Sequence, residues 1–299
     1  MNSMKHTKIA IIGVGNVGAS TAFALLLRGD ASELILVDVC TKKCEGEAKD
    51  LSDVLAFSQA SAVRQGTYAD ACTADIIIMC AGRAQCPGQS RQELLATNTQ
   101  IIKDICAQLQ QIQKQAIVII VTNPLDALTY LAQKLLPLDK KQIFGTGTWL
   151  ETQRLRRFLA ADYDVSAQSI EAFMVGEHGD SAVAILPEYL KISPKERSSL
   201  ENQVTQEVYK IIESKCATYY GIAACVSDIC SAIIHNQRRV LPLSVYHQEY
   251  DICISVPVIL GENGIEGTVN LEFHDNEKSR FQESVKIVQA ETKPLTKPQ

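Results

Sequence analysis

The segment Gly13-Val14-Gly15-Asn16-Val17-Gly18 constrains this chain more than any other. It follows the apolar run Lys8 to Ile12 and precedes Ala19 to Leu27, an apolar helical stretch closed by Gly29. A buried strand, a tight turn and a helix in that order aim the helix's first N–H groups at a pyrophosphate. Gly13 permits the turn, Gly15 lets a phosphate approach the backbone, and Gly18 lets the helix pack on the strand. Asp38 ends the next strand-like run, twenty residues after Gly18. A carboxylate there can accept hydrogen bonds from adenosine ribose hydroxyls and repels a 2′-phosphate, so the expected cofactor is NAD rather than NADP.

Short β-branched runs alternate with helical patterns through the first half: Lys8 to Ile12, Leu34 to Asp38, Asp75 to Cys80, Ala116 to Val121 and Gln142 to Gly145. The rhythm predicts an α/β fold with a doubly wound parallel sheet, its strands apolar throughout because helices cover both faces. After Trp149 the pattern changes to a helix (Leu150 to Ala160), short strands and a long helical stretch from Pro194 to Asn236. Paired strands follow at Val240 to Tyr246 and Ile252 to Leu260, then a final helix near Asn276 and a frayed tail from Glu291. Two domains are therefore expected: an NAD-binding Rossmann domain at 1–147 and an α+β substrate domain at 148–299.

The 46% hydrophobic and 21% charged composition is that of an ordinary globular protein. A net charge of -5 without any basic block argues against a nucleic-acid partner. Apolar runs such as Ala116 to Val121 fall far short of the roughly 20 residues that span a bilayer. The polar Met1 to Thr7 lacks the apolar core of a secretion signal, so the expected location is the cytoplasm. Ten scattered cysteines include no Cys-x-x-Cys pair, and no metal is expected; Cys40/Cys44 and Cys225/Cys230, in helix-like segments, read as small buried hydrophobes.

Gly176-Glu177-His178-Gly179-Asp180 sets an imidazole between glycines, with little side-chain mass to bury it. His178 is thus the candidate proton carrier. Arg91 and Arg154 lie at the edges of apolar segments, where a guanidinium can fork onto a carboxylate.

Taken with Leu36 to Asp38, Cys80-Ala81-Gly82, Pro87 to Arg91, Val121 to Asp126, Gly145 to Thr148 and Ser255-Val256-Pro257, these segments resemble the L-lactate and malate dehydrogenase family over essentially the whole chain. The resemblance implies an NAD-dependent oxidoreductase that moves a hydride to or from C2 of a small 2-oxo or 2-hydroxy acid. His178 would give or take the accompanying proton, Arg154 would hold the substrate carboxylate, and Arg91, on a loop, would close over the site and polarise the carbonyl. Asn123 would touch substrate and nicotinamide, and Thr218 would line the substrate pocket. Gly13, Gly15, Val17, Gly18, Asp38, Lys43, Tyr68 and Gly82 would fall along the cofactor. A homo-oligomer, tetramer or dimer, is also implied. Gln85, six residues before Arg91, occupies the family's specificity position, where glutamine accompanies lactate and arginine malate. A neutral amide suits the methyl end of pyruvate, whereas a second carboxylate would need a counter-charge.

The chain departs from the family pattern in three places. Glu151 stands where relatives carry aspartate, three residues before Arg154; it would orient the imidazole and raise its pKa, with a longer arm to accommodate. Arg156 matches an arginine that binds a sugar bisphosphate in some bacterial relatives, but Glu171 replaces the histidine, so pairing with Arg156 and no activation by fructose 1,6-bisphosphate are expected. The stretch from Ser181 to Lys215 is short, and Cys216 replaces a glycine. The competing readings are a malate dehydrogenase, a dehydrogenase of broader 2-hydroxy-acid range, and an NAD-binding regulatory protein whose catalysis has decayed.

Overall fold

A computed structural model describes residues 7–60, 62–83 and 91–295, with Arg91 described in its backbone alone. The first half of the chain alternates strand and helix: β1 (Lys8–Ile12), α1 (Asn16–Arg28), β2 (Glu33–Val37), α2 (Thr41–Val54), β3 (Ala62–Gln65), α3 (Tyr68–Ala71), β4 (Ile76–Met79), α4 (Arg91–Gln108), β5 (Ile117–Ile120), α5 (Leu125–Leu135) and β6 (Ile143–Gly145). The second half contributes α6 (Trp149–Tyr163), β7 (Phe173–Val175), β8 (Val183–Ile185), α7 (Pro194–Lys215), α8 (Tyr220–Ile234), β9 (Arg239–His247), β10 (Ile252–Gly261), β11 (Gly264–Thr268) and α9 (Asp275–Thr292).

The strands of the first half lie parallel in the order β3-β2-β1-β4-β5-β6. Their side chains alternate between two cores, as a period of two requires. Ile9, Ile11, Ile76, Ile78 and Ile119 face one apolar cluster with α1 and α8, while Ala10, Ile12, Ile77, Met79 and Val118 face another with α4 and α5. Burial on both faces explains why these strands are apolar at nearly every position. The chain turns one way from β1 to β2 and the other way to β4, leaving a crevice beyond the carboxyl ends of β1 and β4, where such sheets bind ligands.

The sheet does not stop at the expected domain junction. β9 joins β6 antiparallel through Gly145 and Ser244, and β10 and β11 extend it to nine strands; β7 and β8 form a separate pair. The helical stretch expected from Pro194 to Asn236 is divided into two helices. Cys216 caps α7 at φ 67°, in the left-handed region, and α8 starts afresh at Tyr220. Nor does the tail fray at Glu291: α9 continues to Thr292, which is buried. Cys44, Cys225 and Cys230 are buried as expected, whereas Cys40 is exposed just ahead of α2. Among the described residues no helix is long and apolar enough to cross a membrane.

Candidate active site

The glycine turn closes the carboxyl end of β1 with little room to spare. Gly13 adopts φ 93°, and a Cβ there would fall 2.5 Å from the Ala81 backbone; one on Gly18 would fall 1.9 Å from the Gly13 carbonyl oxygen. Gly15 is different: it is exposed, and a Cβ would meet nothing within 4 Å. Gly15 caps α1 without a side-chain hydrogen bond, and no acidic residue occupies the first turn. Open space beside uncapped helix N–H groups fits the pyrophosphate of NAD. The Asp38 carboxylate accepts from the backbone N–H of Val14 and of Cys40, both at 2.8 Å, which fixes it beside this turn.

The other expected cofactor residues line the same end of the sheet. Val17 is half-buried on α1, and Lys43 is exposed in the first turn of α2. Tyr68 opens α3 half-buried, its phenol pKa raised by burial and by the charges of Asp38 and Asp104. Gly82 follows β4 against Thr122, whose hydroxyl donates to the Ala81 carbonyl at 2.8 Å. Asn123 is exposed just after β5.

His178 is placed by three elements. Gly176, after β7, exchanges backbone hydrogen bonds with Ser255 of β10 at 2.9 and 3.0 Å. Glu177 donates its N–H to the Ser284 hydroxyl of α9 at 2.6 Å. The N–H of His178 itself donates to Asp126 Oδ2 on α5 at 2.8 Å, and the Ser244 hydroxyl of β9 donates to the other oxygen of Asp126. The imidazole then faces α6, with Nδ1 3.6 Å from Glu151 Oε2. The other oxygen of Glu151 is 3.5 Å from Nη1 of Arg154.

Electrostatics make this histidine a cation at neutral pH. Burial lowers its pKa, but the nearby Glu151 carboxylate outweighs burial and pushes it up to about 9. The net effect on Glu151 is a pKa below the carboxylate range: burial raises it, and His178 and Arg154 more than offset that. Asp126 moves the other way, up to about 6, because burial dominates its hydrogen bonds. Glu151 and His178 thus face each other within ion-pair distance.

The structure thus brings together His178, Glu151 and Arg154. Thr218 sits half-buried in the link between α7 and α8, and Arg91 opens α4. Gln85 lies outside the described residues. Arg156 does not pair with the exposed Glu171: its Nε donates to the Ala172 carbonyl at 2.9 Å, and its guanidinium lies over Trp149 and Phe173. Two residues were not singled out from the sequence. Asp126 could have been noticed as a carboxylate inside an otherwise apolar helix start. Asn98, fully buried on α4, holds the Arg83 backbone through both amide atoms and also donates to the Asn123 carbonyl at 2.7 Å. Its only signal was a polar residue on an apolar helix stripe. Among the described residues no group of three potential metal ligands stands together.

Residues 7–145 match the family model for the NAD binding domain of lactate/malate dehydrogenase, and residues 148–298 match the model for the alpha/beta C-terminal domain of the same family. The chain is 38% identical to L-lactate dehydrogenase 2 of Lactococcus lactis subsp. lactis over 93% of its own length and 95% of that protein. It is 35% identical to L-lactate dehydrogenase A of Rhizopus oryzae over 95% of its length and 92% of that protein. Among solved structures, the minor L-lactate dehydrogenase of Enterococcus mundtii superposes with a TM-score of 0.92 at 35% identity, covering 98% of this chain and 99% of that one. A lactate dehydrogenase from a Medee basin deep-sea metagenome library superposes at 0.93, with 30% identity over 98% of this chain and 100% of that one. With a glycine turn at the strand-order switch between β1 and β4, a half-buried histidine–carboxylate pair beside an arginine, and family models matched across both halves, this chain belongs to the lactate/malate dehydrogenase family.

Proposed function

We propose that the protein is an L-lactate dehydrogenase, interconverting pyruvate and L-lactate in the cytoplasm as a homo-oligomer. The observation that carries the reading is the half-buried His178–Glu151 pair beside Arg154, which sets an acid and a carboxylate anchor against the same face of α6. NADH, when bound along the glycine turn and Asp38, supplies the hydride that reaches C2 of the keto acid. Nδ1 faces Glu151, so Nε2 is the ring nitrogen left to donate its proton to the ketone oxygen, and to take one back in the oxidation of lactate. Arg154 grips the substrate carboxylate with two parallel N–H donors, which sets C2 in place. Arg91, whose backbone opens α4, is the residue assigned to stabilise the developing alkoxide. Asn123 and Thr218 border the substrate, and Gln85 sets the preference for a methyl end.

On this reading residues 1–147 hold the cofactor and residues 148–299 supply the proton carrier and the substrate's carboxylate anchor, joined by the continuous sheet at β6 and β9. A small 2-oxo or 2-hydroxy acid is the partner, and no nucleic acid or membrane is needed. The test is NADH oxidation with pyruvate, oxaloacetate and a branched 2-oxo acid. Pyruvate is expected to give the highest kcat/KM, and His178→Ala is expected to lower turnover about 10²- to 10⁴-fold, the range of a general acid. A preference for oxaloacetate overturns the substrate, and turnover unchanged by the substitution overturns the mechanism.

A further inference from the structure

Glu151 and Arg154 project from α6 one turn apart, a spacing that puts two side chains on one helix face. The Glu151 carboxylate is divided, with one oxygen 3.5 Å from Arg154 and the other 3.6 Å from His178. Charge-assisted hydrogen bonds close to about 2.7–2.9 Å, and neither contact does. Glu151 Oε2 and His178 Nδ1 are both buried without a hydrogen-bond partner among the described residues. Arg154 is 9% exposed, and Glu151 is the carboxylate within ion-pair reach of it among those residues. The arginine suited to a substrate carboxylate is thus held by the same group that orients the imidazole.

We infer that Glu151 is a positioning residue that changes partners: a substrate carboxylate docking on Arg154 releases Glu151 to close on His178 Nδ1. This rests on the proposal that Arg154 and His178 serve a 2-oxo acid. Charge balance drives the exchange, because a carboxylate seated bidentately on the guanidinium neutralises it and leaves His178 as the cation still facing Glu151. Glutamate can make the move because it has one torsion more than aspartate while its Cβ stays fixed on the helix. The other groups around the pair are held. Asp126 of α5 is fixed by Ser244 and the His178 N–H. Glu177 accepts from Ser181. Cys225 of α8 is a neutral thiol, its pKa raised well above the ordinary range by burial and then by Glu151. The proton donor is therefore tightened by the arrival of the molecule that needs it.

The test uses the full chain saturated with NADH, with and without oxamate, an unreactive isostere of pyruvate. The His178 imidazole pKa is read by NMR of ring-labelled histidine and assigned by difference against His178→Asn. Oxamate's own charge raises that pKa in any variant, so Glu151→Gln sets the baseline. The wild type is expected to rise on oxamate binding by about one pH unit more than Glu151→Gln, tenfold in the ionisation constant. Glu151→Asp, too short to share Arg154, is expected to rise no more than the baseline. Equal rises in all three with oxamate bound overturn the exchange and leave the lactate reading intact. A wild type that neither binds oxamate nor turns over pyruvate overturns the reading beneath it.

Discussion

Burial alone would hold the His178 imidazole neutral, and the Glu151 carboxylate reverses that sign. A folded pKa of about 9 against an ordinary 6.5 means that the pair contributes stability in full below about pH 6.5, and that this contribution is lost as pH rises through about 9. Catalysis follows the same titration. Pyruvate reduction needs the protonated ring, so its kcat/KM is expected to fall as pH rises through about 9, while lactate oxidation, which needs the neutral ring, rises over the same interval. The Asp126 charge also favours the imidazolium. Asp126→Asn removes it, and an alkaline limb displaced to lower pH is the expected result in the pH–rate profile; an unmoved limb contradicts the role given to Asp126. His178 was legible in the sequence because glycines flank it. Asp126 was not, because its effect depends on a fold that carries α5 to a residue 52 positions away.

Strands β1, β2, β4, β5 and β6 were visible as apolar runs because both faces of the sheet are covered. β3 and β11 were not, for each is a short edge strand with exposed or half-buried positions, and edge strands lose the apolar signal. The α7–α8 break was hidden because Cys216 takes a left-handed turn that glycine normally signals. Contacts between elements are hidden for a different reason: they need partners distant in sequence. Asn98 is the example with a functional consequence, since it ties α4 to the ends of β4 and β5. Asn98→Leu removes the hydrogen bonds to the Arg83 backbone and the Asn123 carbonyl, each worth about 0.5–1.5 kcal/mol. The melting temperature is expected to drop by several degrees. The KM for pyruvate should rise with it, because Asn123 and Arg83 lose their common anchor. A variant with unchanged melting and kinetics would show that the anchor is dispensable.

At the scale of the whole molecule, the surface over α1, α2 and α8 leaves large apolar side chains uncovered in a lone chain. Phe23 is 46% exposed, Leu27 53% and Tyr220 69%, on a face that also carries Ala19, Ala24 and Ala224. Small residues between large exposed apolar ones let two helical layers approach closely, which suits a second copy of the chain. The face is also coupled to chemistry. α8 begins just after Thr218, carries Cys225 beside Glu151, and lies at Gly221 against Leu150, the neighbour of Glu151. Covering this face would hold α8, and α8 backs α6 where His178, Glu151 and Arg154 meet. The wild-type chain is therefore expected to sediment at two or four times its 32.8 kDa mass. Phe23→Glu places a carboxylate in the apolar face, near Glu47 and Asp50, and like charge with buried desolvation should drive it to monomer. Activity should fall with the mass while the far-ultraviolet circular dichroism of the fold is retained. A wild type that sediments at 32.8 kDa with full turnover would make this face an ordinary surface, and a Phe23→Glu oligomer of unchanged mass would move the interface elsewhere.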